Sequence, residues 1–245
     1  MFAIIGGSGL SRIASLEVAR RKVVRTPYGE PSAALTFGRV RGKDLVFLAR
    51  HGYGHTIAPH EVNYRANLWA LREENVSAVI SVASVGGIRD DAAPGALLVP
   101  DQIIDYTWGR PSTFFEGVDA AVTHIDFTEP YTQALRLRIL EAARVCGETL
   151  VDGGTYAATQ GPRLESAAEI NRLERDGADI VGMTGMPEAA LARELGLDYA
   201  AIAVSANFAA GRGESAHAVA LERIDAVLAE AMGRVRRIIE QLVAG

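Results

Sequence analysis

Glycine-containing turns that follow predicted strands are the features of this sequence best suited to binding a small anion. The first predicted strand, residues 2–5, runs directly into Gly6-Gly7-Ser8-Gly9. Glycines let backbone N–H groups approach an anion, and the Ser8 hydroxyl adds a donor. A plain tight turn explains the same residues; a dinucleotide-binding turn fits less well, because Arg12 stands where its third glycine would be. The turn is therefore a candidate phosphate cradle.

A second candidate begins where the predicted strand 45–49 ends, at Arg50, His51 and Gly52, with His55 following. A guanidinium group at the carboxyl end of a strand can donate to two phosphate oxygens at once. The alternative is that Arg50 simply ends a strand in solvent. Two nearby histidines also suggest a metal, but no Cys or carboxylate lies at ligand spacing beside them. We therefore expect no metal here.

Three further segments place polar side chains after predicted strands. Ser84 begins a glycine-bearing turn, Glu165 lies where a strand passes into a helix, and Thr184 lies at another such junction. Open α/β sheets bind ligands at the carboxyl ends of their strands, so these segments predict one pocket. Simpler explanations are that Glu165 only stabilises the helix dipole and that Met183 and Met186 only fill the core.

The elements that position these residues alternate along the chain. Short apolar runs predict strands at residues 2–5, 45–49, 78–83, 97–106, 155–159, 179–183 and 199–205. Helical periodicity predicts helices at residues 60–74, 131–146, 164–175, 187–195 and 221–243, with Pro187 at a first helical position. Irregular segments near 50–59 and 107–127 are suited to functional loops. The pattern predicts a single α/β domain over residues 1–245, with helices covering a mostly parallel sheet.

Composition excludes several classes of function. The chain has 245 residues, 49% of them hydrophobic, and a formal net charge of -5. A net negative charge argues against nucleic-acid binding, which depends on clustered Lys and Arg, and no apolar run reaches the length of a membrane span. The only cysteine, Cys146, permits no disulfide framework and is expected to be a structural buried thiol. The amino terminus does not resemble a secretory signal, so we expect a cytoplasmic protein.

The motifs together resemble one family. In order they are GGSGL, TPYG, RHG with His55, VNYRANLWAL, THIDF, TQGPRLES and GMTGMPE, and the likeness runs to about Asn207. This series resembles the trimeric purine nucleoside phosphorylases, in particular the methylthioinosine and methylthioadenosine phosphorylase branch. The resemblance implies a central mixed, largely parallel twisted sheet flanked by helices. It also implies inorganic phosphate as co-substrate, no metal or organic cofactor, and a homotrimer with shared active sites.

The resemblance also implies roles for individual residues. Those implied to hold phosphate are Ser8, Arg50, His51, Ser84 and Thr184. Met183 would lie against the ribose and bind its hydroxyls through the backbone. The purine would stack near Leu164, where relatives often carry Phe, so this departure weakens the expected stacking. His124 matches a residue that relatives lend to a neighbouring subunit.

Phosphorolysis of a nucleoside passes through a sugar with oxocarbenium character, so the site must place phosphate under the anomeric carbon and stabilise the departing base. Asn207 is the best candidate to bind the base, with Glu165 beside it. A neutral amide can donate to O6 or N7 of a 6-oxopurine, and a carboxylate can accept the N1 proton. This pair predicts a preference for 6-oxopurines over 6-aminopurines, unless Asn207 only caps a turn and Glu165 only caps a helix.

The 5′ end of the sugar is expected to be a methylthio group rather than a hydroxyl. Leu221 and Ile224 fall where methylthio-specific relatives carry aliphatic residues, and His55 would form a second wall. The alternative is that Leu221 and Ile224 are only core residues of an amphipathic helix. Methylthioinosine is therefore the expected substrate, with methylthioadenosine or inosine and guanosine as alternatives.

Two other classes of protein remain open from the sequence. A nucleotide-dependent oxidoreductase would share the glycine turns but would require the complete glycine fingerprint and an acidic residue about twenty positions on. A non-catalytic nucleoside-binding protein would share the pocket but would not need Arg50, Thr184 and Asn207 together.

Overall fold

The computed structural model describes residues 1–10, 13–117 and 121–245, so Arg12 lies outside the described residues. In the described part the strands are β1 (Phe2–Gly6), β2 (Glu17–Lys22), β3 (Leu35–Val40), β4 (Lys43–Ala49), β5 (Ala78–Gly87), β6 (Leu97–Val99), β7 (Gln102–Asp105), β8 (Val151–Asp152), β9 (Thr155–Ala158), β10 (Ile180–Gly182) and β11 (Asp198–Phe208). The α-helices are α1 (Tyr64–Glu73), α2 (Gln133–Val145), α3 (Ala167–Arg175), α4 (Glu188–Glu194) and α5 (Leu221–Ala244), and Gly213–Ser215 forms a 3₁₀ turn.

The strands form one mixed sheet in the order β2-β3-β4-β1-β5-β10-β9-β7, with β11 paired to β5 and β6, and β6 paired to β8. Parallel pairs join β1 to β4, β1 to β5 and β11 to β5, whereas β3 is antiparallel to β4 and β10 to β5. The carboxyl ends of β1, β4, β5 and β11 therefore meet at one edge of the sheet. The prediction of a mixed, largely parallel sheet flanked by helices is confirmed.

Alternation along the strands divides the core between the two faces of the sheet. Ile4 packs in the cluster that contains Ile139 of α2 and Ile239 of α5. Its neighbour Ile5 packs in the cluster that contains Leu71 of α1. Successive side chains of a strand point to opposite faces, so helices are needed on both sides to bury them. Within the described residues, no helix is both long and apolar enough to cross a membrane.

The strand predictions were incomplete at the sheet edges. Residues 97–106 form two strands rather than one, because Pro100 lies between them and has no N–H to donate to a ladder. The strand β2 was not predicted, because its residues are all exposed and mostly charged and so lack the alternation that marks a half-buried strand. The strands β3 and β8 were also missed.

Capping residues set the helix starts later than the sequence predicted. The side chain of Asn63 accepts a hydrogen bond from the Ala66 N–H, so α1 begins at Tyr64 rather than near residue 60. Ser166 and Glu169 form a capping box that starts α3 at Ala167. Pro187 is the cap of α4, not its first helical residue. Cys146 ends α2, and its partly buried thiol donates to the Ala143 carbonyl at 3.4 Å.

Candidate active site

A cavity of about 460 Å³ opens at the edge where β1, β4, β5 and β11 end. The sequence-predicted residues that line it are Ser8, Arg50, His51, His55, Ser84, Leu164, Glu165, Met183, Thr184, Asn207 and Ile224. Glycine turns and loops from distant parts of the chain thus meet at one site. Two predicted residues, His124 and Leu221, do not line this cavity.

The first glycine turn is shaped by close packing. A β-carbon built on Gly7 would lie 2.6 Å from the Val82 carbonyl oxygen and 2.8 Å from Nη1 of Arg50, so only glycine fits. Gly9 has a φ of +79°, which glycine adopts without strain. The Ser8 hydroxyl lies at the cavity, with its Oγ 3.4 Å from Nε2 of His55. The turn after β1 therefore places Gly7 and the Ser8 hydroxyl at the cavity, and position 7 has no room for a side chain.

Arg50 is fully buried, which rules out a solvated strand end. Its Nε and Nη2 donate to the two carboxylate oxygens of Glu188 at 2.7 and 3.0 Å. Nη2 also donates to Ser81 Oγ at 2.6 Å, and Nη1 donates to the Val82 carbonyl at 3.0 Å. The expectation that the guanidinium donates to two phosphate oxygens at once therefore needs correction, because Nε and Nη2 already make a bidentate pair with the Glu188 carboxylate. One N–H of Nη1 has no hydrogen-bond partner among the described residues and stays a predicted phosphate donor.

Glu188 is the partner that the sequence did not reveal. It is fully buried, and besides Arg50 its Oε1 accepts hydrogen bonds from Ser81 Oγ and the Tyr199 hydroxyl, each at 2.8 Å. Burial alone lowers the pKa of Arg50, but the charge of Glu188 and its hydrogen bond raise that pKa above its ordinary value. Arg50 therefore stays protonated, and its hydrogen bonds to Glu188 hold it at the cavity wall.

His51 is held as a neutral ring. Its Nδ1 lies 2.8 Å from the Ile57 carbonyl oxygen, which can only accept, so Nδ1 carries the proton and Nε2 is left as an acceptor. Burial and the charge of Arg50 lower the pKa of His51 to about 4. The ring of His55 lies 4.7 Å away between centroids. The described part of the chain contains no cluster of three or more His, Cys, Asp or Glu side chains that could hold a metal.

A β-bulge brings Asn207 to the cavity. In the pairing of β11 with β5, Ser205 is opposite Val85 but Asn207 is opposite Gly86, so Ala206 is an extra residue. A bulge re-aims the side chains that follow it, and here both Ala206 and Asn207 line the cavity. The Asn207 amide also donates to the Phe208 carbonyl at 2.6 Å.

Glu165 lies just before α3 but does not cap it, because Ser166 does. Its Oε1 accepts a hydrogen bond from the Thr159 hydroxyl at 2.6 Å. Leu164 beside it is 41% exposed, as expected for a residue at an open cavity wall. The explanation that Glu165 only caps the helix is therefore excluded, and among the described residues no hydrogen bond occupies its other oxygen, Oε2.

The loop after β10 carries Met183 and Thr184, which both line the cavity, while Met186 is buried in the core. The core-filling explanation therefore applies to Met186 and not to Met183. A second residue that the sequence did not reveal, Arg110, is buried behind this loop and donates to the Met183 carbonyl at 2.8 Å. The only sequence signal for Arg110 was its place in the irregular segment 107–127.

The expected position of Leu221 needs correction. It is the first residue of α5 and is 62% exposed, whereas Ile224 lines the cavity together with Val219 from the preceding loop. Positions three apart on a helix differ by roughly 60° around its axis, which is enough to separate an inner from an outer side chain at a helix start. His124 is exposed in the single chain and does not line this cavity.

The chain belongs to the Phosphorylase superfamily, which matches residues 1–244. It is 51% identical over 241 residues to a probable S-methyl-5′-thioinosine phosphorylase of Xanthomonas campestris, with 96% of each chain covered. It is 47% identical over 214 residues to the 6-oxopurine nucleoside phosphorylase of Pyrococcus furiosus, covering 85% of this chain and 80% of that one. A solved structure of a methylthioadenosine phosphorylase from Schistosoma mansoni, in complex with adenine, superposes with a TM-score of 0.94 at 33% identity and covers 99% of this chain and 90% of that one.

Proposed function

We propose that this protein catalyses the phosphorolysis of S-methyl-5′-thioinosine, giving hypoxanthine and 5-methylthioribose 1-phosphate for purine and methylthio salvage. The observation that carries the proposal is that one cavity is lined by three kinds of group. They are Asn207 and Glu165, which suit a purine base, the hydroxyls of Ser8, Ser84 and Thr184, which suit phosphate, and the aliphatic side chains of Val219 and Ile224. The relatives named as probable S-methyl-5′-thioinosine phosphorylases support the same substrate.

In the reaction, the bond from C1′ to N9 breaks and its electron pair leaves with the purine, while a phosphate oxygen forms the new bond to C1′. The groups proposed to hold phosphate are Ser8, Arg50, His51, Ser84 and Thr184. Arg50 would contribute the one N–H left on Nη1. His51, being neutral, would accept a hydrogen bond from a protonated phosphate oxygen rather than add positive charge.

The departing base requires a donor as negative charge develops on it. We assign that role to the Asn207 amide, which would donate a hydrogen bond to O6 or N7 of the purine. The Glu165 carboxylate would accept a hydrogen bond from the N1–H group. The hydrogen bond from Thr159 occupies Oε1 of Glu165, which favours the free Oε2 as the acceptor for the base. Met183 is proposed to contact the ribose, and Leu164 to lie against the base.

The 5′ substituent is proposed to be a methylthio group. Val219 and Ile224 provide aliphatic surface at the cavity, and His55 lies in the same lining. A thioether gains from contact with apolar side chains, whereas a hydroxyl requires a polar partner.

The remaining assignments complete the proposal. A homotrimer, in which His124 completes a neighbouring copy's site, is supported by the exposure of His124 outside the cavity of its own chain. Light scattering should then give three times the chain mass of 26.1 kDa. No cofactor is proposed, since phosphate itself is the nucleophile. The cytoplasm is the proposed compartment, because a single cysteine permits no disulfide framework.

The test is release of free hypoxanthine from S-methyl-5′-thioinosine, followed by absorbance with and without phosphate. We expect release only when phosphate is present. Release without phosphate, or no release, would contradict the proposal.

A second candidate function, that of a methylthioadenosine phosphorylase, is favoured by the Schistosoma mansoni structure. The same assay with methylthioadenosine and with inosine as substrates distinguishes these activities.

A further inference from the structure

Arg110 is a buried arginine whose every donor is engaged behind the cavity wall. Its Nη1 donates to the carbonyls of Met183 and Met186 at 2.8 and 2.6 Å. Its Nη2 donates to the carbonyls of Thr159 and Gln160 at 3.2 and 2.9 Å. Its Nε donates to the side-chain oxygen of Gln160 at 3.3 Å. The planar guanidinium has five N–H groups, and each of them has an acceptor here.

These acceptors lie on two different loops. One loop follows β9 and leads to Leu164 and Glu165, on the proposed base side. The other follows β10 and carries Met183 and Thr184, on the proposed ribose and phosphate side. Arg110 itself comes from the segment between β7 and α2, so a third part of the chain joins the two loops.

The chemistry of the contacts suits positioning better than charge neutralisation. Within the described residues, each hydrogen-bond acceptor of Arg110 is an uncharged carbonyl, amide or hydroxyl oxygen. The hydroxyl is that of Tyr64, which lies 3.4 Å from Nη1, and the ring of Tyr64 covers the guanidinium with its centroid 5.6 Å away. Burying a charge without a counter-charge is unfavourable, and the carbonyl dipoles offset that cost only if both loops keep this arrangement.

We propose that Arg110 is a positioning residue that fixes the base side of the cavity relative to its ribose and phosphate side. The inference rests on the proposed function, because it requires a nucleoside that spans the two loops. Phosphate alone is proposed to touch only one of these loops, at Thr184. Loss of the link should therefore weaken the use of nucleoside more than the use of phosphate.

The test is Arg110→Lys, because a lysine ammonium is too compact to donate to both loops. We expect the catalytic efficiency with S-methyl-5′-thioinosine to fall on the order of 100-fold, as misplacement of the reacting groups by about 1 Å can do. The Michaelis constant for nucleoside should rise about tenfold, and that for phosphate should stay within about threefold. Circular dichroism and the melting temperature report the fold of the same samples.

Arg136→Lys is the matched control. Arg136 is also buried, and its Nε and Nη2 donate to the carbonyls of Pro100 and Val99, each at 3.0 Å, while Nη2 also contacts Asp152. Unlike Met183, neither Val99 nor Pro100 lines the cavity. For Arg136→Lys we expect both Michaelis constants to be unchanged, even where the melting temperature falls. Equal changes in the two constants for Arg110→Lys, or none, would overturn the positioning role.

A second variant, Arg110→Gln, buries no charge and can donate to only one loop. If Arg110→Lys does not fold, the same difference between the two Michaelis constants is expected for Arg110→Gln, and its absence would likewise overturn the inference. A wild-type protein that releases no base would instead contradict the proposed function, and the inference would fall with it. If the wild type is active but the Arg110 variants have the same Michaelis constants as the wild type, the inference is contradicted and the proposed function is not.

Discussion

Arg50 and Glu188 form a fully buried, two-pronged ion pair, with distances of 2.7 Å from Nε to Oε2 and 3.0 Å from Nη2 to Oε1. Ser81 and Tyr199 donate to the same carboxylate, so both charges are satisfied away from water. Most of the Arg50 guanidinium is therefore bound to another protein side chain rather than available to a ligand, although Arg50 lies at the wall of the cavity. Variants of this pair will affect both stability and phosphate binding.

Glu188→Gln should destabilise the protein strongly. It leaves the charge of Arg50 buried without its counter-charge, which costs about 3–5 kcal/mol in the free energy of unfolding. Denaturant unfolding measures the change. Glu141→Gln, in the exposed pair with Arg144, is the control and should change stability little. A small effect of Glu188→Gln would show that the buried pair contributes little.

Arg50→Lys should raise the Michaelis constant for phosphate about tenfold while that for nucleoside stays within about threefold. Lysine keeps the charge beside Glu188 but loses the Nη1 N–H that has no hydrogen-bond partner among the described residues. Initial rates with each substrate varied in turn measure both constants. Equal effects on the two substrates would contradict a phosphate-binding role for Arg50.

The wild-type protein should turn over S-methyl-5′-thioinosine at least about tenfold more efficiently than methylthioadenosine, because a 6-aminopurine replaces the O6 acceptor with an amine donor and the N1–H donor with an acceptor. Asn207→Asp should reduce this preference, since a carboxylate accepts where the amide donates. Competition between the two nucleosides measures the ratio directly. Equal or faster use of methylthioadenosine would overturn the assignment of Asn207 and Glu165.

Ile224→His should reduce the preference for S-methyl-5′-thioinosine over inosine, because it places a polar group at the aliphatic wall of the cavity. Leu221→His is the matched control, since Leu221 lies only three residues away on the same helix but is exposed. The ratio of catalytic efficiencies for the two nucleosides is the measurement. A larger effect of Leu221→His than of Ile224→His would contradict the placement of the 5′ group.

Stability should fall as the pH is lowered from about 6.5 toward 4. The pKa of His51 in the folded protein, about 4, lies below its ordinary value of 6.5, so the unfolded chain binds the proton first. The stabilisation is complete above 6.5 and is lost as the pH falls to 4. His51→Gln should show a shallower loss in melting temperature over this window, whereas His60→Gln, at an exposed site, should follow the wild type. Parallel curves for His51→Gln and the wild type would contradict this.

The sequence by itself determined the class of fold and most of the cavity lining. Apolar strands followed by Gly6 to Gly9, by Arg50 and by Ser84 are local patterns, and parallel strands bring their carboxyl ends to one edge. Helix positions followed from periodicity, but their starts depended on capping side chains such as Asn63 and Ser166. The strand β2 was not predictable, because an exposed edge strand needs no apolar alternation.

Only the tertiary structure decided what the charged side chains contact. Arg50 and Glu188 are 138 positions apart, and Arg110 is 73 positions from Met183, so no local pattern links either pair. The bulge that brings Asn207 to the cavity depends on pairing with β5, and the side of α5 that faces the cavity selects Ile224 over Leu221. Periodicity and motif order are properties of neighbouring residues, whereas the partner of a buried charge depends on which strands and loops the whole fold brings together.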